Sequence, residues 1–211
     1  MIPLLQMKAQ ESNPALMHRF NLRISGAVPH PLSNRAFRMS FTGIYDLNAS
    51  FDIRLFSGFF AGIQYKHTLW KTPDNKIPGL NTYGQNNFAG IRVGYAKPIN
   101  DIAVYYASAT AGEGEMHYYG ISCLTSSTNT SQDVVSNYMY RSGEIETGVY
   151  FYTEGSFAIG LHSSVVFTDF SFDPYKLCLN QHKAYLPEDL GGNLSYLNLG
   201  FNVIFSFKKV K

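Results

Sequence analysis

The sequence predicts an all-β protein: a closed, antiparallel, up-and-down barrel of eight strands that crosses a membrane. Three observations carry that reading. First, the stretch from Phe37 to Leu55, FRMSFTGIYDLNASFDIRL, keeps charge off its odd positions and places Arg38, Asp46, Asp52 and Arg54 at even ones. Strand side chains alternate between two faces, so one face is apolar and the other charged; a helix, with its period of about 3.6, would scramble the two sets. Second, similar alternation returns along most of the chain. Third, charged residues make up 15% of 211, against about 25% in soluble domains, while Tyr and Phe number 15 and 16. Scarce charge with abundant aromatics suits an outer surface that meets lipid.

The first strand is predicted over Arg19 to Val28, where Phe20, Leu22, Ile24 and Val28 alternate with Asn21, Arg23 and Ser25. A Pro-rich connection, His30 to Asn34, leads to the second, Phe37 to Leu55, which at about 3.3 Å per residue would reach roughly 60 Å. The turn at Phe56, Ser57 and Gly58 returns the chain into a third strand, Phe59 to Trp70, and a polar loop covers Lys71 to Gln85. The fourth strand runs from Asn87 to Ala96, and the fifth, with weak alternation, from Ile102 towards Gly120. A Ser/Thr/Asn-rich loop, Thr125 to Asn137, precedes a sixth strand over Tyr138 to Thr153. Glu154, Gly155 and Ser156 turn into a seventh, Phe157 to Phe170; a loop from Asp173 to Gly192 then leads to the eighth, Leu194 to Phe207. Connections are short after the second, fourth and sixth strands, and long after the third, fifth and seventh, the layout of outer-membrane barrels. No helix is expected. Residues 1–18 read as the remnant of a signal peptide with an N-terminal extension, or as an ordinary terminus, and 19–211 as the barrel domain.

On this pattern the chain resembles the small eight-stranded outer-membrane barrels of the OmpA and OmpX type in gram-negative bacteria. The resemblance covers Arg19 to the C-terminus. The last strand, YLNLGFNVIFSF, resembles the terminal strand that the barrel assembly machinery recognises, although Lys208, Lys209, Val210 and Lys211 follow it where the family ends in an aromatic residue. The resemblance implies a protein of the cell outer membrane, and the expected role is non-enzymatic: an integral protein whose long loops bind a partner or ligand, or which helps hold the envelope together. Its partners would be membrane lipid, the assembly machinery during biogenesis, and an extracellular ligand or protein met by the long loops. A soluble ligand-binding barrel such as a lipocalin is the competing fold, but it leaves the long strand and the repeated uncharged face unexplained.

With this parity the lumen receives Arg23, Arg38, Asp46, Asp52, Arg54, Lys66, Arg92, Glu144, Glu146 and His162. An eight-stranded barrel is only wide enough for its own side chains, so these charges must pair with one another or with water. A hairpin centred on Ser57 sets Asn48 opposite Lys66. A salt-bridged plug is the expectation; a narrow gated pore is the functional alternative.

His162 and Ser164 carry a second resemblance, to outer-membrane lipid A deacylases, which place a His-x-Ser pair on a late strand near an acid. A hairpin centred on Gly155 sets Glu146 opposite Ser164, so His162, Ser164 and Glu146 form a candidate hydrolase triad. Two features weigh against it: the parity points all three inward, away from lipid, and Val165 stands where the deacylase signature has Asn. Tyr45, Tyr95, Tyr105, Tyr138, Tyr140, Tyr150 and Tyr152 are candidates for interfacial girdles. Cys123 and Cys178 form no CxxC pair, so a zinc site is not expected, and no cofactor is expected either. Up-and-down order places both cysteines at the extracellular end, where a disulfide between them would tie two long loops together; two separate thiols are the other reading. A net charge of +2 gives no argument for nucleic acid.

Overall fold

The computed structural model describes residues 19–120, 136–154 and 156–207. It is a closed barrel in which each strand pairs antiparallel with its sequence neighbours and β1 closes against β8. The strands are β1 (Phe20–Pro31), β2 (Thr42–Arg54), β3 (Phe59–Lys71), β4 (Tyr83–Pro98), β5 (Ala103–Tyr119), β6 (Ser136–Glu154), β7 (Phe157–Ser171) and β8 (Asn193–Phe207). The expected fold class is the observed one. The expected tail at Lys208 to Lys211, residues 1–18, Cys123, Gly155 and most of the loop after β5 lie outside the described residues.

Tight turns close one end. At Phe56 to Phe59 the central residues Ser57 and Gly58 have φ of 42° and 92°, and the Phe59 amide donates to the Phe56 carbonyl at 2.7 Å. Positive φ at both central positions is the two-residue hairpin geometry that matches strand twist. Such a turn pins register: Asn48 lies opposite Lys66 and, across the β6–β7 hairpin, Glu146 lies opposite Ser164. A one-residue slip would turn every charge towards the outside.

The opposite end departs from the sequence reading. Phe37 to Ser40 do not extend β2; they belong to a short helix, α1 (Arg35–Ser40). Asn34 caps it by accepting from the Phe37 amide at 2.9 Å, and Ala36, Phe37 and Ser40 are buried. Phe37 and Phe41 are four apart, a spacing that fits one helical face as well as one strand face. Arg38 is therefore not a lumenal residue: it sits exposed on α1, its guanidinium donating to the Leu32 carbonyl at 3.2 Å. β2 also carries a bulge between Gly43 and Tyr45, and this is why Ile44 breaks the polar set: above the bulge Gly43 is buried and Ile44 exposed. A Cβ on Gly43 would collide with the Pro29 carbonyl of β1, so this residue must lack a side chain. β4 starts at Tyr83, inside the expected loop, and β1 continues to Pro31, paired with β8 as far as Tyr196.

Outside the barrel lie Ile24, Leu47, Phe51, Ile63, Ile91, Ile145, Leu161 and Phe201, all exposed. Tyr95 and Tyr105 join them, but Tyr140, Tyr150 and Tyr152 point inward and are buried, so these three are not girdle residues. Among the described residues no helix is long and apolar enough to cross a membrane.

Candidate functional site: a charged lumen beneath an apolar cap

Period-two alternation puts Arg23, Asp46, Asp52, Lys66, Arg92, Glu144, Glu146 and His162 inside, each buried. Arg54 also has inward parity, but it lies at the short-turn end and is only half-buried. Glu146 of β6 is the hub. Both Nη groups of Arg23 donate to its two oxygens, Arg92 Nη1 donates at 3.0 Å, and the Tyr106 hydroxyl donates as well. Tyr106 in turn accepts from Asn202 Nδ2 at 2.9 Å and stacks beneath the Arg23 guanidinium at 5.1 Å. One layer nearer the mouth, Glu144 accepts from Lys66 Nζ at 2.6 Å and from Gln64 Nε2 at 2.6 Å. Gln64 Oε1 accepts from Arg92 Nη1 at 3.2 Å, which links the two layers. Asp46 accepts from Thr68 at 3.0 Å and Asn198 at 3.3 Å, with Lys66 Nζ at 3.7 Å.

Desolvation of these ions is expensive, and mutual pairing offsets it only when the remaining donors and acceptors also find partners. Gln64, Thr68, Tyr106, Asn198 and Asn202 meet part of that need; Arg92 Nε and Nη2 and Asp52 Oδ1 are buried without a hydrogen-bond partner, with Arg92 Nε 3.6 Å from Asp52 Oδ1. One cavity of about 30 Å³, lined by Arg23, Asp52, Phe60, Arg92, Tyr106 and Tyr150, has room for one or two waters. Two apolar clusters bound the charged layer. Val104, Tyr106, Tyr150, Tyr152, Ala158 and Ile204 pack at the short-turn end. At the mouth, Phe37 stacks on Phe41 at 4.9 Å and meets Trp70 and Phe172 edge-on at 5.1 and 5.3 Å, while Trp70 meets Tyr196 at 5.3 Å.

The candidate triad residues are brought together on neighbouring strands, inside the barrel. The oxygens of Glu146 are taken by Arg23, Arg92 and Tyr106; Ser164 accepts from Asn198 Nδ2 at 3.2 Å; and Nδ1 of His162 is buried with no partner. A hydrolase needs a carboxylate that orients the imidazole and a hydroxyl bonded to it. Here the carboxylate is already bound to arginines. Cys178 closes a 3-10 turn (Pro174–Leu177) in the left-handed conformation, with φ of 54°; because Cys123 lies outside the described residues, the bridge between them stands as a proposal.

The cap was not foreseen. Its buried members come from α1, from the mouth ends of β3, β5, β6, β7 and β8, from the loop at Ile77 and Leu80, and from the segment from Phe170 to Tyr185. The signal available was Asn34 three residues before Phe37, a helix-capping spacing.

An antiparallel eight-stranded barrel with apolar residues outside and ions inside defines the class of small outer-membrane-type β-barrels. No protein-family model matches the chain, and no curated protein matches it. Among solved structures it is similar to the crystal structure of Neisserial surface protein A (NspA), with a TM-score of 0.56 and 12% identity over 89% of this chain and 97% of that one. Weaker likenesses are to Ail, the attachment invasion locus protein of Yersinia pestis in complex with the heparin analogue sucrose octasulfate (TM-score 0.45, 12% identity, 90% and 100% covered). Another is to the N-terminal β-barrel domain of Pseudomonas aeruginosa OprF (0.40, 11%, 89% and 98%). At these identities the likeness is one of fold.

Proposed function

We infer that the chain is an integral protein of the bacterial outer membrane, with its wall in the hydrocarbon and its α1 end outside the cell. Its role is to bind a partner or to hold the envelope together, rather than to catalyse or conduct. The observation that carries this is the inversion of the usual surface rule. Ile91 and Leu161 are each 69% exposed, whereas Lys66 and Arg92 are each 1% exposed. Soluble monomers rarely expose more than a few hundred Å² of contiguous apolar surface, and a band around a whole barrel exceeds that. Lipid is the phase that accepts it. Among the described residues the apolar cap and the ion-paired midsection fill the bore with side chains, which supports the non-conducting reading, and the engaged Glu146 supports the non-enzymatic one.

The test is fractionation. The protein should sediment with outer membranes, resist carbonate extraction, and migrate faster in detergent gels unheated than boiled; release into the soluble fraction would overturn the assignment. Leu161→Arg, near the middle of the band, should lower refolding stability by about 2–4 kcal/mol. The enzymatic alternative has its own readout: His162→Ala should leave the acyl pattern of lipid A unchanged by mass spectrometry. An acyl chain whose loss depends on His162 would favour the deacylase reading.

A further inference from the structure

At the mouth, three basic side chains converge on the end of α1. Lys76 Nζ donates to the Arg38 carbonyl at 2.7 Å and to the Phe41 carbonyl. Lys183 Nζ donates to the Met39 carbonyl at 3.2 Å and to the Lys76 carbonyl at 3.4 Å. The Arg38 side chain spends one donor on Leu32. These carbonyls include the unsatisfied ones at the C-terminal end of the helix, so the ammonium groups complete its hydrogen bonding. That explains why the lysines are fixed there. It does not explain why the cations are left without counter-charge. Arg35, one turn away, is paired with Glu188 at 3.3 Å and Asp189 at 2.9 Å. Among the described residues, no carboxylate lies within ion-pair distance of Arg38, Lys76 or Lys183.

The crowding has a cost. Partial burial first, and then the charges of Lys183 and Arg38, push the Lys76 ammonium below the ordinary lysine range. Arg38 is exposed, and Lys76 and Lys183 are part-exposed, so the cluster is open to a ligand from outside. An ammonium has three donors and a guanidinium five. After the bonds above, each lysine keeps a donor and Arg38 keeps most of its fork. The cations are held in place by backbone rather than by carboxylates, so an incoming anion has no internal partner to displace.

We propose that Arg38, Lys76 and Lys183 form an anion site on the outer face of the cap, which takes the clustered phosphate or sulfate esters of an extracellular polyanion. This rests on the outer-membrane reading, which faces α1 outward. Ammonium groups bind oxyanions as point charges and a guanidinium fork accepts either ester, so the site does not by itself separate sulfate from phosphate. Binding is electrostatic at an exposed site, and salt weakens it.

The experiment uses the full chain refolded into nanodiscs of zwitterionic lipid, titrated with dextran sulfate and, separately, with inorganic tripolyphosphate. The wild type should bind at least one probe at low salt and lose affinity as salt rises; tighter binding of dextran sulfate points to sulfate groups as the source, and tighter binding of tripolyphosphate to phosphate groups. Arg38→Gln combined with Lys76→Gln and Lys183→Gln keeps amide donors for the helix carbonyls and should weaken binding about tenfold, the sum of three exposed charge contacts. Arg38→Gln alone, whose side chain holds a single backbone bond, should show a part of that loss. Lys97→Gln, at the short-turn end, should show none. No binding by the wild type, an unchanged triple variant, or an equal loss in Lys97→Gln would each overturn the site. Fast migration of the unheated triple variant shows that its barrel is intact, so failure here is distinct from failure of the membrane assignment.

Discussion

The midsection of the lumen and its mouth are both closed, and they are closed by opposite chemistry. In the midsection Arg23, Arg92, Glu146, Lys66 and Glu144 fill the bore with ions, each placed by strand parity and each buried. At the mouth Phe37, Phe41, Trp70, Phe172 and Tyr196 fill it with rings, brought there by α1, by the ends of β3 and β8, and by the segment after β7. The ionic layer gains little net stability from its pairs, because desolvation offsets most of their attraction. What it supplies is specificity: a slipped register would put ions into lipid. The cap has no such register to enforce and is held by burial of apolar area. The midsection is thus rigid by pairing rules and the mouth by packing, and the two should fail differently.

The largest expected effect tests the midsection. Glu146→Gln preserves shape but leaves Arg23 and Arg92 facing each other without their shared carboxylate. Breaking a buried pair from one side costs roughly 3–5 kcal/mol, and the whole barrel should lose it, seen as a lower urea midpoint for folding into detergent with no change in slope. A loss below about 1 kcal/mol would mean that lumenal water compensates the arginines, and the contrast between the regions would weaken.

At the mouth, Phe37→Ala removes the ring on which Phe41, Trp70 and Phe172 converge. Truncating a buried Phe costs about 3 kcal/mol or more, but here the loss should stay local. Hydrogen exchange should rise in α1 and in the segment around Phe172, while strand amides of the midsection keep their protection. Equal deprotection of both regions would show that they unfold as one unit.

How far each region was legible in the sequence follows from the same contrast. The midsection could be read because its determinants are short-range. Ser57 and Gly58 fix one hairpin, and once they do, Lys66 has to stand opposite Asn48. Period two then turns Arg92 and Glu144 inward without further information. The ion partners themselves were beyond such reading: Arg23 and Glu146 are 123 residues apart and meet across the bore, which strand adjacency does not predict. At the mouth even the local signal was ambiguous. Phe37, Met39 and Phe41 fit an alternating strand, and so the second strand appeared to begin at Phe37 when it begins at Thr42. Tyr140, Tyr150 and Tyr152 were misplaced for a related reason, since a tyrosine near a strand end has equal licence to face lipid or to plug the bore.

Asn34 stands at the mouth, where the chain passes from β1 into α1, and it carries the smallest and sharpest test. Its Oδ1 accepts from the Phe37 amide, its Nδ2 donates to the Gly192 carbonyl at 2.8 Å, and its backbone sits in the left-handed region with φ of 55°. Each role has a separate cost. Losing a helix cap costs about 1 kcal/mol, and a left-handed conformation costs a side-chain-bearing residue about another. Asn34→Ala incurs both and should destabilise the cap by about 2 kcal/mol. Asn34→Gly adopts the positive φ without strain and caps almost as well in helix hosts, so its loss should stay below about 1 kcal/mol. Exchange at the Phe37 amide and melting of the aromatic near-ultraviolet signal read the difference. If the two variants lost stability equally, the bond to Gly192 would outweigh both cap and strain, and Asn34 would act as a loop clasp more than as the start of α1.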